Sequence, residues 1–278
     1  MKQALALELL AFDFAQRALV AGVVIAAVCS VIGALIVLRR MAMIGDGLAH
    51  IAFGGIAFGI FTNFVPIWSA LVFTILGAIG ITKVQESARL PGDAALAIFF
   101  SLGLSIGVIL TSLSHGFNAN LFSFLFGSIL LTSLSDLLIV TSIAGFVIIT
   151  VLLFYKEFFA LIFDEESARV SGLPTRKLNY LLSVLTGITV IASIRIVGIL
   201  LVSSLLVIPA VTAMQLSKGF NETIYLSILF SVIAVTVGLN LALITNISPS
   251  GVIALTSTAT FFVTLVTKWL RVRKVSIK

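Results

Sequence analysis

Long apolar runs separated by short polar breaks dominate the chain. Nine of them, at about 14–38, 41–62, 64–83, 93–113, 136–155, 178–194, 196–216, 222–244 and 249–268, approach the roughly 20 residues a helix needs to cross a hydrocarbon layer. The runs are continuous and do not alternate with period two, which predicts helices rather than barrel strands. The sixth and seventh almost touch, so eight spans result if they merge. A tenth run, Leu121–Leu131, is too short to cross and reads as a re-entrant or interfacial helix.

Composition agrees with that pattern. Of 278 residues, 60% are hydrophobic and 10% charged, and the mean hydropathy is +1.25, too little polar surface for a soluble domain. The whole chain, 1–278, therefore reads as a single membrane domain. The single cysteine, Cys29, lies in an apolar run and suits packing. Glu8 and Asp13 interrupt the N-terminus, which does not resemble a cleavable signal. No GxxxxGK[ST] phosphate loop occurs, so the chain does not hydrolyse ATP by that device.

The net charge of +6 marks loops rather than a nucleic-acid partner. With an outside N-terminus and nine crossings, 14 of the 17 Lys and Arg fall inside, and only Lys2, Arg17 and Arg195 fall outside. This predicts N-out and C-in. The longest inside connection, about 156–177, carries helix signals: Asp164 as N-cap, Glu165 and Glu166 for the positive first turn, then Gly172 and Pro174 as a stop. A short helix at about Glu165–Ser171 is expected, either a capped loop or a docking element for a cytosolic subunit.

One pair of ionisable residues falls within a span. Asp46 and His50 stand four apart in the second run, on one helical face about one turn from each other. Counted from Met41, His50 lies near the bilayer midplane, with Asp46 about 6 Å nearer the cytosol. Ionisable groups at that depth are costly unless paired or facing water. A carboxylate and an imidazole suit Zn²⁺ or Mn²⁺, with water, backbone carbonyls or another helix completing the shell. Proton relay in an ion-gradient-driven carrier is the alternative use of such a pair. Gly55 and Gly59, and Gly103 and Gly107, form small-xxx-small patterns for close helix packing. His115 reads as a loop residue or an entry ligand, Asp136 as a helix cap, and Asn240 and Asn246 as vestibule or interhelical groups. Arg17 and Arg195 read as snorkelling cations, and Pro209 as a kink.

Several segments taken in order resemble the permease subunits of bacterial and archaeal zinc, manganese and iron importers of the ATP-binding cassette class. QRALVAG at 16–22 and VLRRMAMIGDGLAHIAFGG at 37–55 are similar to the family's first two helices. DAALAIFFS at 93–101, LFGSIL at 125–130, FDEESARVSGLP at 163–174 and VGILLVSSLLVIPAVTA at 197–213 match further landmarks. The resemblance implies a type II importer-like helical bundle. It also implies a homodimer in membrane lipid, two cytosolic ATPase subunits, and an extracytoplasmic metal-binding protein. On that basis Asp46 and His50 become transport ligands for a passing Zn²⁺ or Mn²⁺, with no resident cofactor. The segment holding Asp164, Glu165, Glu166, Arg169, Gly172, Leu173 and Pro174 becomes the coupling helix that docks on the ATPase. Two positions depart from the family pattern: Ala49 where a serine is common, and Ser128 where an acidic residue often stands. A metal-chelate permease, for a siderophore or cobalamin, is the third alternative.

Overall fold

The computed structural model describes residues 13–87, 92–114, 119–127, 129, 132–245 and 247–275. Among these, every long regular element is a helix: α1 (Asp13–Leu38), α2 (Ile44–Phe61), α3 (Pro66–Ser87), α4 (Gly92–Leu113), α5 (Ala119–Phe126), α6 (Leu134–Leu153), α7 (Tyr155–Phe163), α8 (Glu165–Val170), α9 (Thr175–Val197), α10 (Ile199–Leu216), α11 (Phe220–Thr245) and α12 (Pro249–Val275). Nine of the described helices, all but α5, α7 and α8, are long and apolar enough to cross a bilayer. The all-α, nine-span expectation therefore stands.

Helices α1, α2 and α9 form the buried centre, while α4, α6 and α12 leave most of their length exposed. The exposed faces carry large apolar residues such as Leu102, Ile109, Leu138, Ile149, Phe262 and Val266. Such faces must be covered by hydrocarbon or by another protein surface, so these helices form the outer shell of the bundle. At the centre no water is displaced by helix association, so close packing and interhelical hydrogen bonds must hold the bundle. Both are present. A Cβ on Gly33 would sit 1.9 Å from the Leu206 carbonyl oxygen, so α1 and α10 touch through backbone. Thr82 on α3 donates to Ser183 on α9 at 2.8 Å, and Ser227 on α11 donates to the Ser30 carbonyl on α1 at 3.2 Å. Cys29 is fully buried and lies 3.3 Å from the Ser193 hydroxyl, a packing role as expected.

The sixth and seventh runs separate at one residue. Gly198 ends α9 and starts α10 with φ +84, a conformation that β-carbon-bearing residues resist. Beyond it the two helices part company: α9 packs on α3, and α10 packs on α12. Gly127, just after α5, also has positive φ, and its backbone lies directly against Gly198. The short α5 run is thus held by a backbone crossing at the α9–α10 corner, which its sequence did not indicate. Helix α10 continues through Pro209.

Ends predicted to share a side do lie together. Arg39 meets Glu165, Glu86 meets Arg176 at 2.7 Å, and Lys268 donates to Gln215 at 3.2 Å, all at inside-assigned ends. At the opposite end Asp136 meets Arg195 at 2.8 Å.

Candidate functional site

Helix α2 begins at Ile44, three residues later than its apolar run suggests, because α1 and α2 are joined by a tight turn over 39–43. That shift places Asp46 in the first turn, where unpaired backbone N–H groups suit a carboxylate. His50 follows one turn on, about 9 Å along a helix of about 27 Å, and so stands short of the middle of the span.

The two side chains face each other without touching. His50 Nε2 lies 3.9 Å from Asp46 Oδ1, beyond hydrogen-bond reach, and they are 20% and 30% exposed. His50 Nδ1 is buried and has no hydrogen-bond partner. Both residues therefore keep unused donor or acceptor capacity at a site open to a small species. Two ligand atoms each about 2.1 Å from one ion are about 3.4 Å apart at a tetrahedral angle, so a small side-chain adjustment lets the pair share an ion. Among the described residues no group of three or more His, Cys, Asp or Glu comes together. The pair thus offers one oxygen and one nitrogen ligand and leaves the remaining positions to other donors.

Helix α4 sets the back wall. A Cβ on Gly103 would lie 2.6 Å from Ile51 N and 2.7 Å from the His50 carbonyl oxygen, and a Cβ on Gly54 would lie 2.9 Å from the Gly103 oxygen. Backbone contact at this level brings Phe100 over the imidazole, with ring centroids 4.1 Å apart and planes tilted by 56°. Phe100 escaped the sequence reading because only tertiary packing joins it to His50. The Gly55–Gly59 pattern serves the other side: Ser69 on α3 donates to the Gly55 carbonyl at 2.7 Å, and a Cβ on Gly59 would meet Pro66.

The second expected feature lies at the end of the bundle that also holds Arg39. Asp164 caps α8, accepting from Glu166 N at 3.1 Å and Ser167 N at 3.0 Å. The Ser167 hydroxyl and the capping amides hold its carboxyl below the usual aspartate range. Val170 ends α8, and Leu173 N then donates to Ala168 O at 3.0 Å and Gly172 N to Arg169 O at 3.1 Å. This double bond pattern requires the left-handed Gly172, φ +86, and Pro174 prevents continuation. Helix α7, directly before it, was not expected. Its Phe158 and Leu161 are buried against the bundle, and its residues had been assigned to the inside connection that follows the fifth run.

Burial alone would raise the Glu165 carboxyl, but the Arg39 guanidinium, with Asn179 and Arg169, holds it below the ordinary glutamate range. Asn179 donates to it at 3.0 Å, and Arg169 lies 3.6 Å away. Arg39 had counted only as one more basic loop residue.

Other candidates resolve differently from expectation. Ser133 is the N-cap of α6, and Asp136 is the third residue of its capping box rather than the cap itself. Its Oδ1 lies 2.8 Å from Arg195 Nη2, close enough for an ion pair though outside hydrogen-bond alignment. Arg195 therefore has a partner and does not merely snorkel. Arg17 lies 3.9 Å from Asp13, and Asn240 donates to Thr236 O within its own helix, at 2.7 Å. His115, Ser128 and Asn246 lie outside the described residues.

Comparison with known proteins fits this architecture. The profile of the ABC 3 transport family matches residues 11–268. The "Probable metal transport system membrane protein" of Treponema pallidum is 37% identical over 250 residues, covering 90% of this chain and 93% of that one. The "Manganese transport system membrane protein MntC" of Listeria monocytogenes is 33% identical, covering 92% and 91%. Other relatives are named for zinc uptake or chelated iron transport. Among solved structures, a chain of "PsaBC from Streptococcus pneumoniae in complex with Fab" superposes with a TM-score of 0.84 at 29% identity, covering 94% of each chain. A profile spanning nearly every described helix, and a relative aligned over 93% of its length, place this chain in the ABC 3 transport family, as a multi-pass permease of the cell membrane.

Proposed function

We propose that this chain is the membrane-spanning subunit of an ATP-driven importer that passes a divalent metal ion, zinc or manganese and alternatively iron, into the cytoplasm. Asp46 and His50 are its transport ligands. The observation that carries this reading is the facing carboxylate and imidazole, 3.9 Å apart and partly open, within a spanning helix. An ion passing the pair replaces part of its hydration with one oxygen and one nitrogen, a combination suited to Zn²⁺ and Mn²⁺. Water and backbone carbonyls complete the shell, so the ion is held weakly enough to leave. The capped α8 segment is the contact for a cytosolic ATPase, and the functional unit pairs two copies of this chain with two such subunits. A metal-binding protein outside delivers the ion. In this reading the N-terminus lies outside and the basic C-terminal end inside, which the charge distribution supports.

Reconstitution of the complex in vesicles tests this. Asp46→Ala and His50→Ala should each abolish uptake of zinc or manganese while the ATPase still co-purifies. Normal uptake by the double variant would overturn the ligand assignment. Uptake by the chain alone, driven by an ion gradient without ATP, would replace the ATP-driven reading with a carrier.

A further inference from the structure

Arg39 joins the capped α8 segment to the helix that carries Asp46 and His50. Its side chain is only 16% exposed, and its guanidinium touches three separate segments. It pairs with Glu165 at the start of α8, donates from Nη1 to the Leu161 carbonyl of α7 at 3.2 Å, and donates from Nη2 to Asn179 Oδ1 of α9 at 3.1 Å. Asn179 closes the ring by donating from Nδ2 to Glu165 Oε1 at 3.0 Å. A planar fork spreads its donors over three nitrogens in fixed directions toward these acceptors, a geometry that a single-centred ammonium does not reproduce.

The backbone on the other side of Arg39 is equally tied. Arg40 N donates to Val37 O and Met41 N to Ile36 O, at 3.0 and 2.8 Å, and Arg40 adopts φ 61. The Met41 carbonyl then accepts from Ile44 N, at 3.0 Å, at the first residue of α2. Between the Arg39 guanidinium and Asp46 there is thus one turn, pinned by hydrogen bonds on both sides. A displacement of α8 must either break a part-buried ion pair or carry this turn, and the start of α2, with it.

We propose that Arg39 is a positioning residue that transmits movement of α8 to the Asp46–His50 helix. This rests on the reading that α8 meets an ATPase and that the pair carries the ion, and it adds the mechanical link between them. Arg39 touches neither ion nor nucleotide in this role; it sets where the start of α2 sits when α8 moves.

The test is the number of metal ions taken up per ATP hydrolysed by the assembled complex in vesicles, with zinc and manganese as probes. Arg39→Gln should leave assembly and ATP hydrolysis within about twofold of the parent while uptake per ATP falls about tenfold, and Asn179→Leu should fall less. Arg39→Lys, which keeps the charge but not the fork, should lie between. An unchanged uptake-to-hydrolysis ratio in Arg39→Gln would overturn the proposal. Failure of both Arg39→Gln and Asn179→Leu to assemble would also overturn it, by making the cluster a folding element. If the parent chain binds no ATPase, the proposed function fails instead, a different result that co-purification of the parent complex reads before any uptake is measured.

Discussion

Replacing Gly103 by alanine tests whether the approach of α4 to α2 positions the candidate site. The new methyl would lie 2.6 Å from Ile51 N and 2.7 Å from both the carbon and the oxygen of the His50 carbonyl group. Ordinary carbon contacts lie near 3.5–4.0 Å, so α4 must retreat by about 1 Å. None of the three contacts is a flexible side-chain end; all belong to helical backbone and cannot step aside. Alanine gains about 1 kcal/mol of helix propensity over glycine, and overpacking costs about 1–3 kcal/mol. The cost should fall at the upper end here, which leaves a net loss of about 1–2 kcal/mol. The retreat also carries Phe100 away from the imbedded His50 ring, from which it is now separated by 4.1 Å between centroids. Thermal unfolding in detergent, together with zinc or manganese uptake, measures both consequences. The control is Gly145→Ala on α6, where a Cβ meets nothing within 4 Å and the propensity gain should appear alone. If Gly103→Ala matched Gly145→Ala in stability and the parent in uptake, the backbone contact would not position the site and this reasoning would fail.

Two further outcomes follow from local structure. Gly172 and Gly198 both have positive φ, but a Cβ meets open space at the first and lies 2.4 Å from Gly127 N at the second. Gly172→Ala should cost about 1 kcal/mol from conformation alone, whereas Gly198→Ala should fail to accumulate in the membrane; equal expression and melting of the two variants would contradict this. Asp164 and Glu165 are held below the ordinary carboxylate range, so their contribution is complete above the unfolded values, near pH 4, and is lost as pH falls through the folded ones. Hydrogen exchange of amides 165–171, corrected for intrinsic rate, should lose protection below about pH 4, and unchanged protection would refute the carboxylate account of α8.

Which features the sequence disclosed depended on the range of the forces involved. Spans are legible because each must bury its own backbone bonds in hydrocarbon, which demands an apolar run whatever its neighbours. The Asp164 cap and the Gly172 stop are legible because partner and acceptor lie within a few residues. Asp46 and His50 stand out because ionisable groups are rare within a span and one turn separates them. The partners of these groups come from elsewhere in the chain. Phe100 reaches His50 from α4, and Asn179 reaches Arg39 from α9. Local periodicity carries no trace of such pairings. Helix α7 was missed for another reason: Tyr155–Phe163 is short and carries Lys156 and Glu157, so it read as part of the inside connection.

The crossing of Gly127 over Gly198 bears on how the chain is built. The α5 run is too short to anchor itself across hydrocarbon, and the backbone it rests on is synthesised only after α6 and most of α9. During biogenesis Gly127 therefore has no seat until the corner at Gly198 leaves the ribosome. A nascent chain arrested between these two glycines would lack the seat of Gly127, so α5 can settle against the bundle only late in translation.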